Sequence, residues 1–448
     1  MKRKTLFLTL ITAGLLLAGN VFMTGCTKEG PAGKDGVNGA AGSDGANGAD
    51  GTASCITCHS PEGIELAAVQ YELSKHSYGE AAFEEAGSTT CGPCHLSEAF
   101  KYVCVNKTPS TFTLNTTTNK YVNDFFVAPT AAYGEINCGT CHSSIHTTYG
   151  EGDLALTTVA PVSMNMWGGA KTINLTADGG RSNLCVKCHQ PRPFTAGLTD
   201  GNVIDYVGLA SNPTAVFYDA AGTGNKLRPG YRTHTHYGTA GAVFAGMGGV
   251  EFSGLAFENS AHTALASCQD CHMATMQGKA GGHTFFAKGN FNGCNDSGCH
   301  TDASASSDGL WLNPRAEIKL KLDELAAALN VGGVDIMNRN PDAEHNLWAA
   351  NTTNKYDGYL NIYDPINNPD GPTNNPTVFQ NPNPSNSWSQ DQKDYNLTLP
   401  KITLTNAQMG SIINFQLCLR DYSLGIHNYK YTKALLANSI SALATKGV

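Results

Sequence analysis

The amino-acid sequence predicts a mainly α protein with long irregular loops and little sheet, and three observations carry that expectation. The first is apolar periodicity near the C-terminal end: Ile318, Leu322, Leu325 and Leu329 recur at steps of four and three, the spacing of one helix face. Asn313-Pro314 just before them supplies an N-cap and a first-turn proline. A helix is therefore expected over 314–330, with two more over 406–420 and 428–443 and His427 at the joint between those two. The second observation is the opposite pattern. Residues 108–132, 191–230 and 338–400 carry Thr, Asn, Gly, Pro and Asp without sustained periodicity and read as loops with at most a short hairpin. The third is a cysteine and histidine pattern that recurs six times within the 246 residues from Cys55 to His300. At about 41 residues per repeat, no repeat can enclose a conventional core of its own.

In chain order, Lys2, Arg3 and Lys4 precede an apolar run over 6–23, too short and wrongly flanked for a dependable membrane span. This is the layout of a secretory signal. The run closes on Met23-Thr24-Gly25-Cys26, which has the form of a bacterial lipobox, where the cysteine becomes the acylated first residue of the mature chain. An ordinary cleavage site with a stray thiol is the plainer alternative. Residues 1–25 are expected to be a lipoprotein signal peptide and Cys26 the lipidation site, since several acyl chains hold a stable anchor where one does not. No other stretch is apolar enough to span a bilayer. Removal of the signal takes the formal charge from -8 to -11, a balance that disfavours nucleic acid and favours basic partners or positively charged mineral surfaces.

From Gly30 to Gly51 glycine takes every third position, the period of a collagen triple helix. Pro31 is the sole proline there and the triplets are few, so 26–52 is expected to be a flexible spacer, with a short trimerising stalk as the sharper option. After it, "GIELAAVQYELSKHS" predicts a short helix ahead of His76, on which Ile64, Leu66, Val69 and Leu73 form an irregular apolar stripe.

The recurring pattern is Cys55-Ile-Thr-Cys58-His59, Cys91-Gly-Pro-Cys94-His95, Cys138-Gly-Thr-Cys141-His142, Cys185-Val-Lys-Cys188-His189 and Cys268-Gln-Asp-Cys271-His272. A disulfide framework explains the pairs but not the histidine that follows each. Zinc needs two more ligands at a matching distance, and a thioredoxin-like pair would occur once beside a strand-helix pattern. Cys-x-x-Cys-His is the attachment signature of c-type haem: two thiols bond to the porphyrin and the adjacent imidazole ligates the iron. Cys294-Asn-Asp-Ser-Gly-Cys299-His300 is a wider version with four intervening residues and is read as the sixth site. The expectation is thus six covalent haems over 53–300, a haem-organised fold in which the haems supply buried apolar surface, and residues 301–448 packed on it. Export agrees with this chemistry, because c-type haem is attached outside the cytoplasm.

Eight histidines stand outside the motifs: His76, His146, His234, His236, His262, His283, His345 and His427. Any one alone is more simply a hydrogen-bonded surface imidazole. Six irons each need a second axial ligand or an open position, however, and two imidazoles per iron is the economical arrangement for electron transfer. Met247, Met273 and Met276 are the alternatives nearby.

The run "FENSAHTALASCQDCHMA", followed by Gly282-His283 and a further motif, resembles the C-terminal haem segments of the pentahaem cytochrome c nitrite reductases and the related multihaem cytochromes that include hydroxylamine oxidoreductase. "YELSKHSYGEA", "CVKCHQPR", "HYGTAGAVFAGMGGVEF" and "DYSLGIHNYKYTKALLANS" are similar to other segments of that group. The likeness covers most of 55–300 and the last forty residues. It implies that His262 and His283 are distal ligands to haems other than their sequence neighbours, and it supports His76, His236 and His427 in the same role. With His146 these make six, leaving His234 and His345 over, His234 as the substitute. The chain departs from the reductases in one respect: their catalytic haem sits on Cys-x-x-Cys-Lys, and here every motif ends in His. No catalytic residue is therefore carried over.

The function expected is electron transfer by a membrane-anchored envelope cytochrome, of the outer membrane facing the periplasm or the cell surface. Its partners would be redox proteins or extracellular acceptors. A reductase of a small nitrogen or sulfur oxyanion and a filament-forming cytochrome, which needs heterologous stacking, are the alternatives. Twelve haem thiols and Cys26 leave Cys104 and Cys418, expected either to pair, as leftover thiols of exported proteins often do, or to stay as separate buried thiols.

Overall fold

The computed structural model describes residues 59–77, 91–105, 113–115, 120–122, 134–149, 151–164, 171–192, 204–218, 233–296, 298–331, 334–339, 356–360 and 404–444. The expected signal peptide, the lipidation site Cys26, the glycine-periodic segment, Cys55, Cys58 and His345 lie outside them. The described residues belong to one unit, Ala53–Val448.

In chain order the elements are α1 (Ile64–Glu72), α2 (Gly92–His95), α3 (Ser97–Val105), β1 (Thr113–Asn115), β2 (Lys120–Val122), α4 (Cys138–Cys141), β3 (Val162–Met164), β4 (Lys171–Ile173), α5 (Ser182–Val186), α6 (Tyr206–Ser211) and β5 (Val216–Tyr218). They continue as α7 (Ala240–Phe244), α8 (Ala261–Leu265), α9 (Cys268–His272), α10 (Asn313–Ala328), β6 (Asn330–Val331), β7 (Val334–Asp335), β8 (Met337–Arg339), β9 (Tyr356–Leu360), β10 (Leu404–Thr405), α11 (Asn406–Arg420) and α12 (Tyr429–Ala444). The protein is mainly α with little sheet. The strands form antiparallel pairs only: β1 with β2, β3 with β4, β5 with β10, β6 with β7, and β8 with β9.

The three long helices α10, α11 and α12 pack on one another. On α10 the stripe Ile318, Leu322 and Leu325, continued by Leu329, is fully buried. Its start differs from the expected cap. A π-helical turn at Asp308–Leu312 runs straight into the helix, so Leu312 holds the cap position and Asn313 is already helical. A capping box of Thr405 and Gln408 opens α11, and α11 is buried nearly all round, from Ala407 to Arg420. Such a helix runs through a core rather than over it. The core also takes in β3, β4, Val186 of α5, Ile204, α6, Phe217, α7, Val250 and Phe252. Residues on both sides of position 300 therefore share one apolar interior.

Polar side chains of the long helices tie the irregular segment 249–260 to this interior. Asn414 accepts from the Val250 amide at 2.7 Å and donates to the Val250 carbonyl at 2.8 Å. Asn438 accepts from the Leu255 amide at 2.7 Å and donates to the Phe252 carbonyl at 3.0 Å, and Asn428 accepts from the Ser260 amide at 2.9 Å. Each amide side chain replaces a missing ladder partner, so buried backbone without regular structure stays satisfied.

Three expectations change here. Residues 191–230 are not all loop: Asp205 accepts from the Gly208 amide and caps α6, and β5 pairs with β10. The described part of 338–400 contributes β9, paired with β8. On α1 the stripe is not packed, with Ile64, Leu66, Val69 and Leu73 between 38% and 59% exposed. The buried residue of that helix is Gln70, whose Oε1 accepts from the His283 amide at 2.9 Å.

Candidate functional site

Each described cysteine motif is one tight turn. The amide of His95 donates to the Cys91 carbonyl at 3.2 Å, His142 to Cys138 at 2.9 Å and His189 to Cys185 at 2.9 Å, while 268–272 form α9. A single helical turn sets residues i and i+3 on one face, which is what two thiols need to reach one flat ligand. The wider motif closes with the same bond, from the His300 amide to the Cys294 carbonyl at 3.0 Å.

The motifs are fixed by local chemistry. Ser267 and Asp270 form a capping box at the start of α9, and the Cys268 amide donates to Ser182 Oγ at 3.0 Å, joining the fifth motif to the fourth. Cys185 and Cys268 are themselves hydrogen-bonded, and so are Cys188 and Cys94. The fourth motif thus touches both the second and the fifth. At Gly241 a Cβ would lie 2.7 Å from the His189 carbonyl, so only glycine allows α7 to approach the fourth motif this closely.

Five of the motif histidines lie close to histidines from outside the motifs. Ring centres of His59 and His146 lie 5.9 Å apart, His189 and His76 6.1 Å, His95 and His236 6.3 Å, His300 and His262 6.1 Å, and His272 and His427 6.1 Å. His283 lies near enough to His142 for a charge there to lower its pKa, after burial as the main cause. These five ring pairs each join a motif histidine to one outside the motifs, and His236 has a second neighbour, His234, at 6.3 Å. Two imidazoles on opposite sides of one metal ion, with metal–nitrogen bonds of about 2 Å, hold their ring centres about 6 Å apart. The five measured pairs fit that spacing. Among the described residues no three His, Cys, Asp or Glu side chains converge into a metal-binding group.

The hydrogen bonds on Nδ1 agree with this use of the other nitrogen. His142 Nδ1 lies 2.9 Å from the Leu154 carbonyl, His272 Nδ1 2.8 Å from Phe285, His262 Nδ1 3.2 Å from Ile426, and His236 Nδ1 3.2 Å from Tyr237. A carbonyl only accepts, so Nδ1 donates and the neutral ring presents a bare Nε2. Burial also favours neutral rings: it is the leading cause that lowers His76 and His272 and takes His189 to about 4 and His236 to about 3. His234 differs. Its Nδ1 accepts from the His236 amide at 2.9 Å and from Arg420 Nη1 at 2.5 Å, which fixes the opposite tautomer and leaves His236 as the ring facing His95.

Two of the paired histidines are delivered by left-handed backbone, His146 with φ 61° and His236 with φ 77°. Non-glycine residues rarely adopt this conformation, and it concentrates at sites that need it. Asp153 holds the His146 loop, accepting from the amides of Thr147, Thr148 and Tyr149 and from Thr148 Oγ1. Burial acts to raise the Asp153 pKa, but those bonds outweigh it and bring it to about 2.

Sequence reasoning missed several residues that shape the site. Phe285, itself left-handed at φ 54°, lies 5.1 Å from the ring of His76 and 5.8 Å from that of His283, and its carbonyl takes the His272 bond. Asp421 holds His427 Nδ1 at 2.5 Å. Neither stands at a motif spacing, so no sequence signal marks them. Leu73, Tyr149, Leu154, Leu265 and Phe286 are more than half exposed, and each lies within three residues of a paired histidine or accepts its hydrogen bond. Of the two arrangements open to Cys104 and Cys418, the structure has the separate thiols, and both are free. Cys104 sits near Lys187 and Cys141, whereas Cys418 is buried in the core near Asp421 and Tyr431. Burial pushes the Cys104 thiol up to about 11.

No described helix is long and apolar enough to cross a membrane. Comparison with protein-family profiles, curated proteins and solved structures finds no match.

Proposed function

We propose that the chain is an electron-transfer protein carrying six covalent c-type haems, each with two histidine ligands. The observation that carries this reading is that five motif histidines each lie 5.9–6.3 Å, ring centre to ring centre, from a different histidine outside the motifs, a spacing that a metal ion bridges. The thiols of Cys55 and Cys58, Cys91 and Cys94, Cys138 and Cys141, Cys185 and Cys188, Cys268 and Cys271, and Cys294 and Cys299 would hold the porphyrins. His59 with His146, His95 with His236, His142 with His283, His189 with His76, His272 with His427 and His300 with His262 would take the irons. Haem iron so bound exchanges single electrons between the ferric and ferrous states. The chain's own part would be to supply two imidazoles to each iron, orient several of them through Nδ1 hydrogen bonds, and bring neighbouring sites close through the Cys185–Cys268 and Cys94–Cys188 contacts.

The family resemblance, the lipid anchor at Cys26 and placement in the cell envelope belong to the same proposal. They rest on the sequence motifs. A reductase reading draws on one cluster: Arg420, 1% exposed, meets His234 and lies over the rings of Tyr237 and Tyr359 at 4.3 and 5.1 Å. His236 opposite His95 weighs against it, because a filled position leaves no room for substrate.

Intact-mass analysis tests the haem count. The mature chain should carry six haems, and the double substitution Cys294→Ser, Cys299→Ser should remove one. A wild-type count of five would remove the wider motif from the proposal.

A further inference from the structure

We propose that Asp421 makes the iron between His272 and His427 the most reducing of the six, an inference that rests on the ligand reading above. The argument begins with what holds each ring. At Nδ1 of His142, His236, His262 and His272 the acceptor is a neutral backbone carbonyl at 2.8–3.2 Å. His427 has a carboxylate there instead, Asp421 Oδ1 at 2.5 Å. The carboxylate side chain is fully buried.

The contact is built. Asp421 is the C-cap of α11, and its second oxygen accepts from the hydroxyl and the amide of Ser423. Ser423 Oγ in turn accepts from the His427 amide at 3.1 Å. This small cycle across 421–427 leaves the carboxylate one direction in which to face, toward the imidazole. The nearest cation in sequence, Arg420, turns instead to His234.

A carboxylate on the far N–H of a ligating imidazole draws the proton toward itself and makes the ring a stronger donor. Its negative charge, acting where water is excluded, also favours the ferric over the ferrous state. Both effects lower the reduction potential, and carbonyl partners exert them less. The neighbouring site is that of His189, whose motif touches the fifth through Cys185 and Cys268. An electron on the His272–His427 iron would leave in that direction.

The test is a spectroelectrochemical titration of the full, haem-loaded chain in three forms: wild type, Asp421→Asn and His427→Ala, with Asp421→Glu as the charge-retaining control. The most negative of the six components should move to higher potential in Asp421→Asn, with all irons still low-spin and the other five unmoved, and should return toward its wild-type position in Asp421→Glu. His427→Ala should turn that same component high-spin. If Asp421→Asn does not mature, the His427→Ala comparison decides alone: the component it removes must be the most negative in the wild type. An unmoved lowest component in Asp421→Asn, or removal of any other component by His427→Ala, overturns the proposal while the ligand reading stands. Six low-spin irons remaining in His427→Ala would overturn both.

Discussion

Among the described residues, the apolar core is built from 162–252 and 318–436, with Ile318, Leu322, Phe415 and Leu435 fully buried. The described residues of 59–154 and 260–312 stand outside that cluster, and their buried apolar side chains are a small group such as Leu96, Phe100 and Phe291. What the second region has instead is histidine pairs. His59 with His146 and His300 with His262 lie wholly inside it, whereas His76, His95 and His272 reach across to His189, His236 and His427 on core segments. One part of the molecule is held by packing, and on our reading the other is held by what its histidines bind. The crossing pairs are where the two methods meet.

The strongest way to break this comparison is to produce the chain without haem attachment. Amides of 59–154 and 260–312 should then lose hydrogen-exchange protection while those of α10, α11 and α12 keep theirs, because only the latter have a packed interior to retain. Equal protection in both regions would show that the first is held by something other than its ligands. A smaller effect should come from Phe415→Ala in the core. Truncating a fully buried phenylalanine costs about 3–5 kcal/mol, so denaturant unfolding should shift strongly while the haem spectrum of the folded protein stays unchanged.

The smallest effect concerns the surface of the core region. Glu317 accepts from Tyr429 and lies 2.9 Å from Lys433, linking α10 to α12. Its carboxyl is held below the usual range, first by the Tyr429 hydrogen bond and then by Lys433. A depressed folded value stabilises the protein above the unfolded carboxyl's pKa of about 4.3, and that stability is lost as pH falls through the folded value. The group is partly exposed, so the contribution should be about 0.2–1 kcal/mol. Glu317→Gln should remove that much stability near neutral pH and flatten the acid dependence. An unchanged acid profile would mean the pair contributes nothing.

The two regions were not equally legible in the sequence. Helix α11 has the expected bounds and α12 lies within a residue of them, because a buried helix needs a long apolar pattern. The motif turns were legible because the Cys-x-x-Cys-His spacing recurs along the chain. Their partners were harder. The turn that carries His283 is held by Gln70, some two hundred residues earlier in the chain. The choice of His236 over His234 depends on which ring nitrogen Arg420 occupies. Asp421, Asp153 and Phe285 act through geometry alone, and α6 was lost among loop-forming residues because its Asp205 cap marks a helix too short for periodicity to show.

The central claim is that each motif histidine and its facing partner fill both axial positions of one iron. Electron paramagnetic resonance and near-infrared magnetic circular dichroism of the oxidised, haem-loaded protein test it most directly. The account predicts six low-spin irons with two nitrogen ligands each, with ring planes near parallel at His59–His146 and His272–His427, 19° and 25°, and steeply crossed at His189–His76 and His300–His262, 71° and 90°. A high-spin iron, or a methionine-ligated one, in the wild-type protein would contradict it.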